Sequence, residues 1–341
     1  SFESVVVPSM PTGFGLQVVE QQTLRGAGTT IVLEVVEVEH ALFSNPFTGD
    51  LDSPPVDVKS FDADGDGVDE IAVLFGGNPG GVAVYAVSED GAPSLIDGFS
   101  TEVGSDPVDL DAGDVNDDGL DDLLITNSVD NTLSVLLTEE DSEGNLYFAS
   151  STLSIPGATQ SLTCGAIVDW DGDSDLDAVV GIDIASVSAN DGYQVLLDVA
   201  SSIGIGPWLD IPKYQLPNGT NKADPPTCLD GGDKHSSWGF VGGTRYGRIH
   251  RGTSGGSLQV IAELEGNNTV TIEAIELDAN GGDGQIDLMV SSDEAEAIYL
   301  FKGNAAESDG FDDLIPLGVS ASIEDLVALD VDDDGDMDMV M

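Results

Sequence analysis

The sequence predicts an all-β chain built from four-stranded units repeated about an axis. Three observations carry that expectation. An acidic, glycine-containing motif returns with a period of about fifty residues. Each copy leads into apolar runs of strand length. Glycine, asparagine, aspartate and serine bound those runs, as tight turns require.

The motif first stands as FDADGDGVDEI, from Phe61 to Ile71. It returns as DVNDDGLDDL from Asp114, DWDGDSDLDA from Asp169 and DVDDDGDMDM from Asp330. A copy with one extra residue, DANGGDGQIDL, starts at Asp278. A decayed copy is found by aligning LTCGAIVD (162 to 169) with PTCLDGGD (226 to 233), which puts cysteine in register; its loop, DKHSSW, has lost its acids. The repeats occupy residues 55–341, with units starting near 55, 107, 162, 226, 271 and 323.

After each loop comes a run such as EIAVLF, DLLITN, DAVVGI or DLMVSS, then a turn, then VAVYAV, LSVLLT or AIYLF. About four strands fit one period, the content of a propeller blade. Residues 1–54 lack an acidic loop but hold strand-like runs at Ser4 to Val7, Gly15 to Glu20 and Thr30 to Glu39. The last unit stops at Met341, inside its second strand. The simplest closure uses residues 1–54 as the outer strands of that last blade, which removes exposed edges. The expectation is a β-propeller of six four-stranded blades, with seven as the alternative count.

With 341 residues, 40% of them hydrophobic, the chain can bury a large core. Its 64 acids against 9 Lys plus Arg give a formal net charge of -55. That charge disfavours nucleic acid and anionic membranes and favours cations. No apolar run approaches the roughly 18 residues that cross a bilayer, so no membrane insertion is expected. Ser1 is not followed by the basic and apolar regions of a signal peptide, so the chain reads as a piece of a longer one.

Within each intact loop, oxygen donors stand at positions 1, 3, 5 and 9, and position 7 offers a backbone carbonyl. Calcium takes 6 to 8 hard oxygen ligands in irregular geometry, which suits this spacing. The first set is Asp62, Asp64, Asp66 and Glu70 with the carbonyl of Val68; the second is Asp114, Asn116, Asp118 and Asp122 with that of Leu120. The third is Asp169, Asp171, Asp173 and Asp177, with Asp175 at position 7. The inserted copy offers Asp278, Asn280, Asp283 and Asp287. The last offers Asp330, Asp332, Asp334 and Asp338, with Asp336 at position 7. About five calcium sites are therefore expected. Magnesium demands stricter octahedral geometry, and zinc wants the His or Cys that these loops lack. An EF-hand needs a bidentate Glu at position 12, where this chain has Val73, Ile125, Val180 or Met341.

The unit D-x-[DN]-x-D-G-x-x-[DE]-[LI], followed by two strands, resembles the FG-GAP/VCBS repeats of integrin-α-like β-propellers. DVNDDGLDDLLITNSVDNTLSVLL, residues 114 to 137, looks most like the bacterial form. The resemblance covers residues 55 to 341. It implies calcium held in the hairpin loops between the first and second strands of each blade, on one face of the disc. It also implies an extracellular or cell-surface protein. The Phe-Gly and Gly-Ala-Pro elements of the family are poorly kept, with FGGNPG (75 to 80) the nearest.

Three features depart from the repeat. Five positions before each loop stand Asp57, Asp109, Cys164, Cys228, Glu273 and Asp325, a column that would line the central channel. A disulfide between Cys164 and Cys228 is one expectation and free buried thiols the other. A cationic island holds Lys234, His235, Arg245, Arg248, His250 and Arg251; it predicts either docking of an acidic partner through Arg245, Arg248 and Arg251, or neutralisation of neighbouring acids. Sequons at Asn218 and Asn267, and Trp170, Trp208 and Trp238 as sugar-stacking rings, are weaker signals.

No nucleophile elbow, metalloprotease helix or phosphate loop is present in the sequence. The expected function is therefore a non-enzymatic, extracellular binding, adhesion or assembly module for a protein, a glycan or copies of itself. A structural subunit of a surface fibre or layer, and a lyase or hydrolase acting on acidic polysaccharide, are the alternatives.

Overall fold

Strands here are made by β-branched and aromatic runs, and they are joined into meanders because each is followed by a short polar turn. The computed structural model describes residues 55–66, 70–87, 93–155, 160–184, 190–200, 204–216, 218–231, 239–254, 256–264, 269–275, 287–292, 297–303, 315–318, 327–329 and 338–340.

The first blade comprises β1 (Pro55–Phe61), β2 (Glu70–Phe75), β3 (Gly81–Val87) and β4 (Pro93–Glu102). The second holds β5 (Pro107–Gly113), β6 (Asp122–Asn127), β7 (Thr132–Glu140) and β8 (Leu146–Ser154). The third holds β9 (Gln160–Val168), β10 (Asp177–Ile184), β11 (Gly192–Leu197) and β12 (Gly204–Asp210). A small hairpin follows, of β13 (Tyr214–Gln215) and β14 (Asn221–Lys222). The fourth blade is β15 (Pro226–Asp230), β16 (Phe240–Thr244), β17 (Arg248–Thr253) and β18 (Ser257–Glu263). The fifth is β19 (Thr269–Ile275), β20 (Asp287–Ser292), β21 (Ala297–Phe301) and β22 (Ile315–Gly318). A two-stranded sheet of β23 (Val327–Leu329) and β24 (Asp338–Val340) ends the chain, with β23 lying beside β19. Every blade is an antiparallel meander in chain order.

The chain is thus an all-β propeller. Five complete blades are described, not the six or seven that the repeat count predicts. The sixth unit contributes β23 and β24, and residues 1–54, expected to complete it, lie outside the described residues.

The core lies between blades rather than within one. Phe61, Leu74, Val84 and Phe99 of the first blade pack on Leu110, Leu123, Ile125 and Leu136 of the second. The same stacking joins the second blade to the third, the third to the fourth and the fourth to the fifth. This explains why DLLITN is buried at every position: Leu123 and Ile125 pack with the first blade and Leu124 with the third, so the strand has no solvent face.

The register fixes the hairpin that carries each acidic loop. Its ends pair as Phe61↔Glu70, Gly113↔Asp122 and Val168↔Asp177. In the fifth blade they pair as Ile275↔Asp287, so that loop runs from 276 to 286, where the first runs from 62 to 69. The longer loop shifts the predicted channel column. Thr271 precedes Ile272 as Asp57 precedes Val58, and Glu273 falls at the register place of Asp111 and Asp230.

Candidate functional site

In the first loop the carboxylates wind the chain around themselves. Asp62 Oδ1 accepts the amides of Gly65 (2.8 Å) and Asp66 (3.1 Å), and Asp64 Oδ1 also accepts Asp66 N–H (3.1 Å). The turn passes through Gly65 at φ 72°, where a side chain would be strained. Oxygens of Asp62, Asp64 and Asp66 converge within 4.8 Å of one another. Unit charges at 4 Å repel by about 4 kcal/mol at an effective dielectric near 20, a repulsion that a bound cation would offset.

The second loop repeats the winding. Asp114 accepts Asp118 N–H (3.0 Å) and Gly119 N–H (2.8 Å) through its two oxygens. Asn116 accepts Asp118 N–H (3.1 Å), and its amide donates to Asp118 Oδ2 (3.0 Å). The backbone of Leu120 donates to Asp118 Oδ1 (3.0 Å). In the third loop, Asp169, Asp171 and Asp177 converge within 4.8 Å. Asp173 and Asp175 fall in a separate group with Asp198, within the same limit. Burial and the neighbouring Asp173 raise the Asp171 pKa. Asp198, in the turn after β11 at φ 55°, was invisible to motif reading; a non-glycine residue at positive φ is its structural mark.

The ninth-position acids do more than close a ligand set. Asp122 Oδ2 accepts Val115 N–H (3.1 Å) while its Oδ1 accepts Thr138 N–H (2.7 Å) from β7. Asp177 does the same for Trp170 N–H (2.9 Å) and Asp198 N–H (2.9 Å). Glu70 accepts Ala63 N–H (3.1 Å), and Asp287 accepts Gly303 N–H (2.6 Å). Each acid therefore pins the start of its loop or the end of the third strand. Burial dominates their titration: it pushes Asp122 up to about 7 and Asp177 up to about 6 against the amides that lower them, and it raises Glu70. In the decayed fourth unit, Gly239 at φ 98° stands at the register place of Asp122, and the clamp is gone.

Of the other predicted ligands, Asp338 opens β24 opposite Leu329, as Asp122 opens β6 opposite Gly113. Val68, Asp278, Asn280, Asp283, Asp330, Asp332, Asp334 and Asp336 lie outside the described residues. The donor sets that are described consist of carboxylate oxygens, which suits a hard cation such as calcium.

Asp57 and Asp109 of the predicted column, and Asp111 and Asp230 two positions further along their strands, form clasps between blades. Asp57 Oδ2 accepts Leu110 N–H (2.8 Å), Asp109 Oδ2 accepts Gly165 N–H (2.5 Å) and Asp111 Oδ2 accepts Ile167 N–H (2.8 Å). Asp230 likewise takes Ala274 N–H (3.1 Å). Lys59 reaches Asp111 at 3.4 Å. Burial, reinforced by Asp57, lifts the Asp109 pKa well above the carboxylate range. Asp325 lies outside the described residues.

The predicted disulfide is absent: Cys164 and Cys228 are both free and buried. They occupy the same register place in successive blades, but each thiol is directed onto its own pairing strand and the blade that follows. Cys164 sits against Gly181 and Pro226, and Cys228 against Gly243 and Thr269. Burial raises both thiols, Cys228 to about 12.

The cationic island also resolves differently. Arg248 is 6% exposed, so it is no docking residue. Its guanidinium pairs with Asp224, donates to the Pro212 carbonyl and lies 5.8 Å from the Tyr214 ring centroid, tying β17 to the β13–β14 hairpin. Arg245 is the solvent-facing member, with its side chain 53% exposed and 3.8 Å from Asp183. Arg251 is half-buried, and desolvation lowers its pKa. His250 is fully buried beside Tyr193, and burial lowers its pKa to about 3, so it is a neutral core residue. Trp170 is buried in the third inter-blade core. Lys234, His235, Trp238 and Asn267 lie outside the described residues.

With this geometry in view, residues 114–180 match the family model of the FG-GAP-like repeat. The match spans the second and third acidic loops and bears out the resemblance read from them. Similar solved structures include the crystal structure of BBS1N in complex with ARL6DN, soaked with lead. It shares 11% identity at a TM-score of 0.44, covering 83% of this chain and 90% of that one. Another is a protein from Lactobacillus plantarum, with 12% identity and a TM-score of 0.49, covering 77% of this chain and 72% of that one. No curated protein sequence matches the chain. Among the described residues, no helix is long and apolar enough to cross a membrane.

Proposed function

We propose that this chain is a calcium-stiffened β-propeller that works outside the cell as a non-enzymatic binding or assembly module. The observation that carries the proposal is the convergence of Asp62, Asp64 and Asp66, and of Asp169, Asp171 and Asp177, each set within 4.8 Å in the hairpin joining the first two strands of a blade. Calcium supplies the counter-charge, and its binding energy becomes folding energy of the hairpin. Loops stiffened in this way offer a fixed rim to a protein or glycan partner, which a surface fibre or adhesive layer also requires. Arg245, exposed among acids, is the cation of that island best placed to touch such a partner.

The proposal includes ring closure by a sixth blade built from β23, β24 and residues 1–54. Val56 and Val58 of β1 are 42% and 48% exposed. Leu110, at the register place of Val58 in the second blade, is 4% exposed because the first blade covers it. An apolar sheet face of this kind needs a cover.

The test is calorimetric titration of chelated protein with calcium, run beside size measurement and a glycan array. Several binding events with a gain in stability support the reading; a folded protein that takes up no calcium removes it. Calcium-dependent polymers identify the fibre subunit, and turnover of a uronic polymer identifies the enzyme.

A further inference from the structure

We infer that Asn218 is an N-glycosylation site, the acceptor of an oligosaccharide carried on the exposed tip of the β13–β14 hairpin. The inference rests on the extracellular reading above, because this transfer takes place on the secretory route. The acceptor pattern is Asn-x-Ser/Thr with x not proline, and Asn218, Gly219 and Thr220 meet it.

The place of the tripeptide in the fold makes it a site. β13 and β14 pair as Tyr214↔Lys222 and Gln215↔Asn221, so the tripeptide lies in the turn between them. Asn218, Gly219 and Thr220 are all exposed, as are Asn221, Lys222 and Ala223 after them. A Cβ built on Gly219, which stands at φ 80°, would meet nothing within 4 Å. A bulky group has room there.

The turn also presents the side chain. Asn218 Oδ1 accepts Thr220 N–H (3.0 Å), which pins the carboxamide through its oxygen to the residue that carries the required hydroxyl. Gly219 N–H donates to the Leu216 carbonyl (2.8 Å), and Leu216 N–H donates to that of Thr220 (2.9 Å). The base of the hairpin is braced as well. Tyr214 stacks on Tyr246 with ring centroids 4.8 Å apart, and Arg248, paired with Asp224, lies over the Tyr214 ring. The sugar therefore stands on a fixed arm.

Composition gives the sugar a use. Residues 211–223 contain no acid, in a chain whose net charge is -55. A glycan supplies there the hydration that carboxylates supply on the blades. The reaction joins Asn218 Nδ2 to C1 of a sugar held on a polyprenyl diphosphate. The N–C1 bond forms as the C1–O bond breaks, the diphosphate keeps the electron pair, and the transferring enzyme takes the proton from Nδ2. Nothing is oxidised.

For the test, the full chain is recovered from the cells that make it, in external and internal fractions, and cut with trypsin. Cleavage after Lys213 and Lys222 isolates residues 214–222, in which Asn218 opens the single sequon. Mass spectrometry should find that peptide from external protein carrying an intact glycan. The whole sugar is weighed, since an Asn-Gly pair also turns to Asp unaided. Asn218→Gln and Thr220→Ala should abolish the added mass and Thr220→Ser should keep it, and these exposed changes should leave the urea midpoint where it was. External protein with a bare 214–222 peptide overturns the inference and leaves the extracellular reading intact. So does an added mass that survives Asn218→Gln, which would put the sugar on a hydroxyl. Protein found only inside the cell removes the extracellular reading, and this inference falls with it.

Discussion

Consider lowering the pH of the calcium-free protein from 7 to 5. Asp122 and Asp177 are buried, and burial raises them from 3.8 to about 7 and about 6. The folded state then holds protons that the unfolded chain has already released. A carboxyl raised on folding contributes its full stability only below the unfolded value, and that contribution is lost as pH rises through the folded one. With each pKa unit worth about 1.4 kcal/mol, Asp122 loses roughly 2 kcal/mol between pH 5 and 7 and Asp177 roughly 1, so together about 3 to 4 kcal/mol. Whole domains are stable by only about 5 to 15 kcal/mol, so the change is large.

The assay is urea denaturation in chelator, followed by tryptophan fluorescence, at pH 5, 6 and 7. The calcium-free protein should be most stable at pH 5, above the point near its pI of 4.1 where solubility fails. Asp122→Asn should remove roughly two thirds of the slope. With saturating calcium the slope should reverse, because protons compete with the ion for the same oxygens. Calcium-free protein whose stability is flat or rises from pH 5 to 7 refutes the reasoning. So does an Asp122→Asn variant with an unaltered slope.

Three further outcomes are expected. Calcium at a hundred times the dissociation constant should stabilise the fold by about 2.7 kcal/mol per independent site, read as a shift of the urea midpoint against chelator. Arg248→Ala, which strands the buried Asp224 carboxylate, should cost about 3 to 5 kcal/mol, while Arg245→Ala on the surface should stay within about 0.5; equal losses would contradict the burial of Arg248. Alkylation in denaturant without reductant, read by mass spectrometry, should label both Cys164 and Cys228, and a mass lacking both labels would mean a bridge.

The acidic loops were legible because their chemistry is local: ligand spacing within one turn is written in consecutive letters. The blade pattern was legible because apolar runs recur with turn residues between them. What escaped depends on residues far apart in sequence. Arg248 looks like an exposed cation until Asp224 and Tyr214 are brought beside it by a hairpin outside the repeat. Asp198 joins Asp173 and Asp175 from a different turn of the same blade. The fifth loop is longer than the others, so counting back five residues from it lands on Glu273, whereas the register puts Thr271 in the column. The cysteines share a register place in successive blades, yet both thiols are free and buried.

The two acidic systems act on opposite ends of the same strands. Position 9 acids pin the hairpin between the first and second strands from behind, as Asp122 does through Val115 and Thr138. Farther along the first strand, Asp57, Asp109 and Asp111 reach across to amides of the next blade. A first strand is therefore held to its own sheet at the loop and to the next blade along its length. An ion bound in the loop, as proposed above, would also fix where the strand begins, and with it the register in which its carboxylates meet the next blade. Loss of the ion should accordingly loosen the junctions between blades before it melts any one sheet. The four inter-blade cores among the described residues lie at those junctions, so a cation bound in the loops would bear on how the five blades pack together.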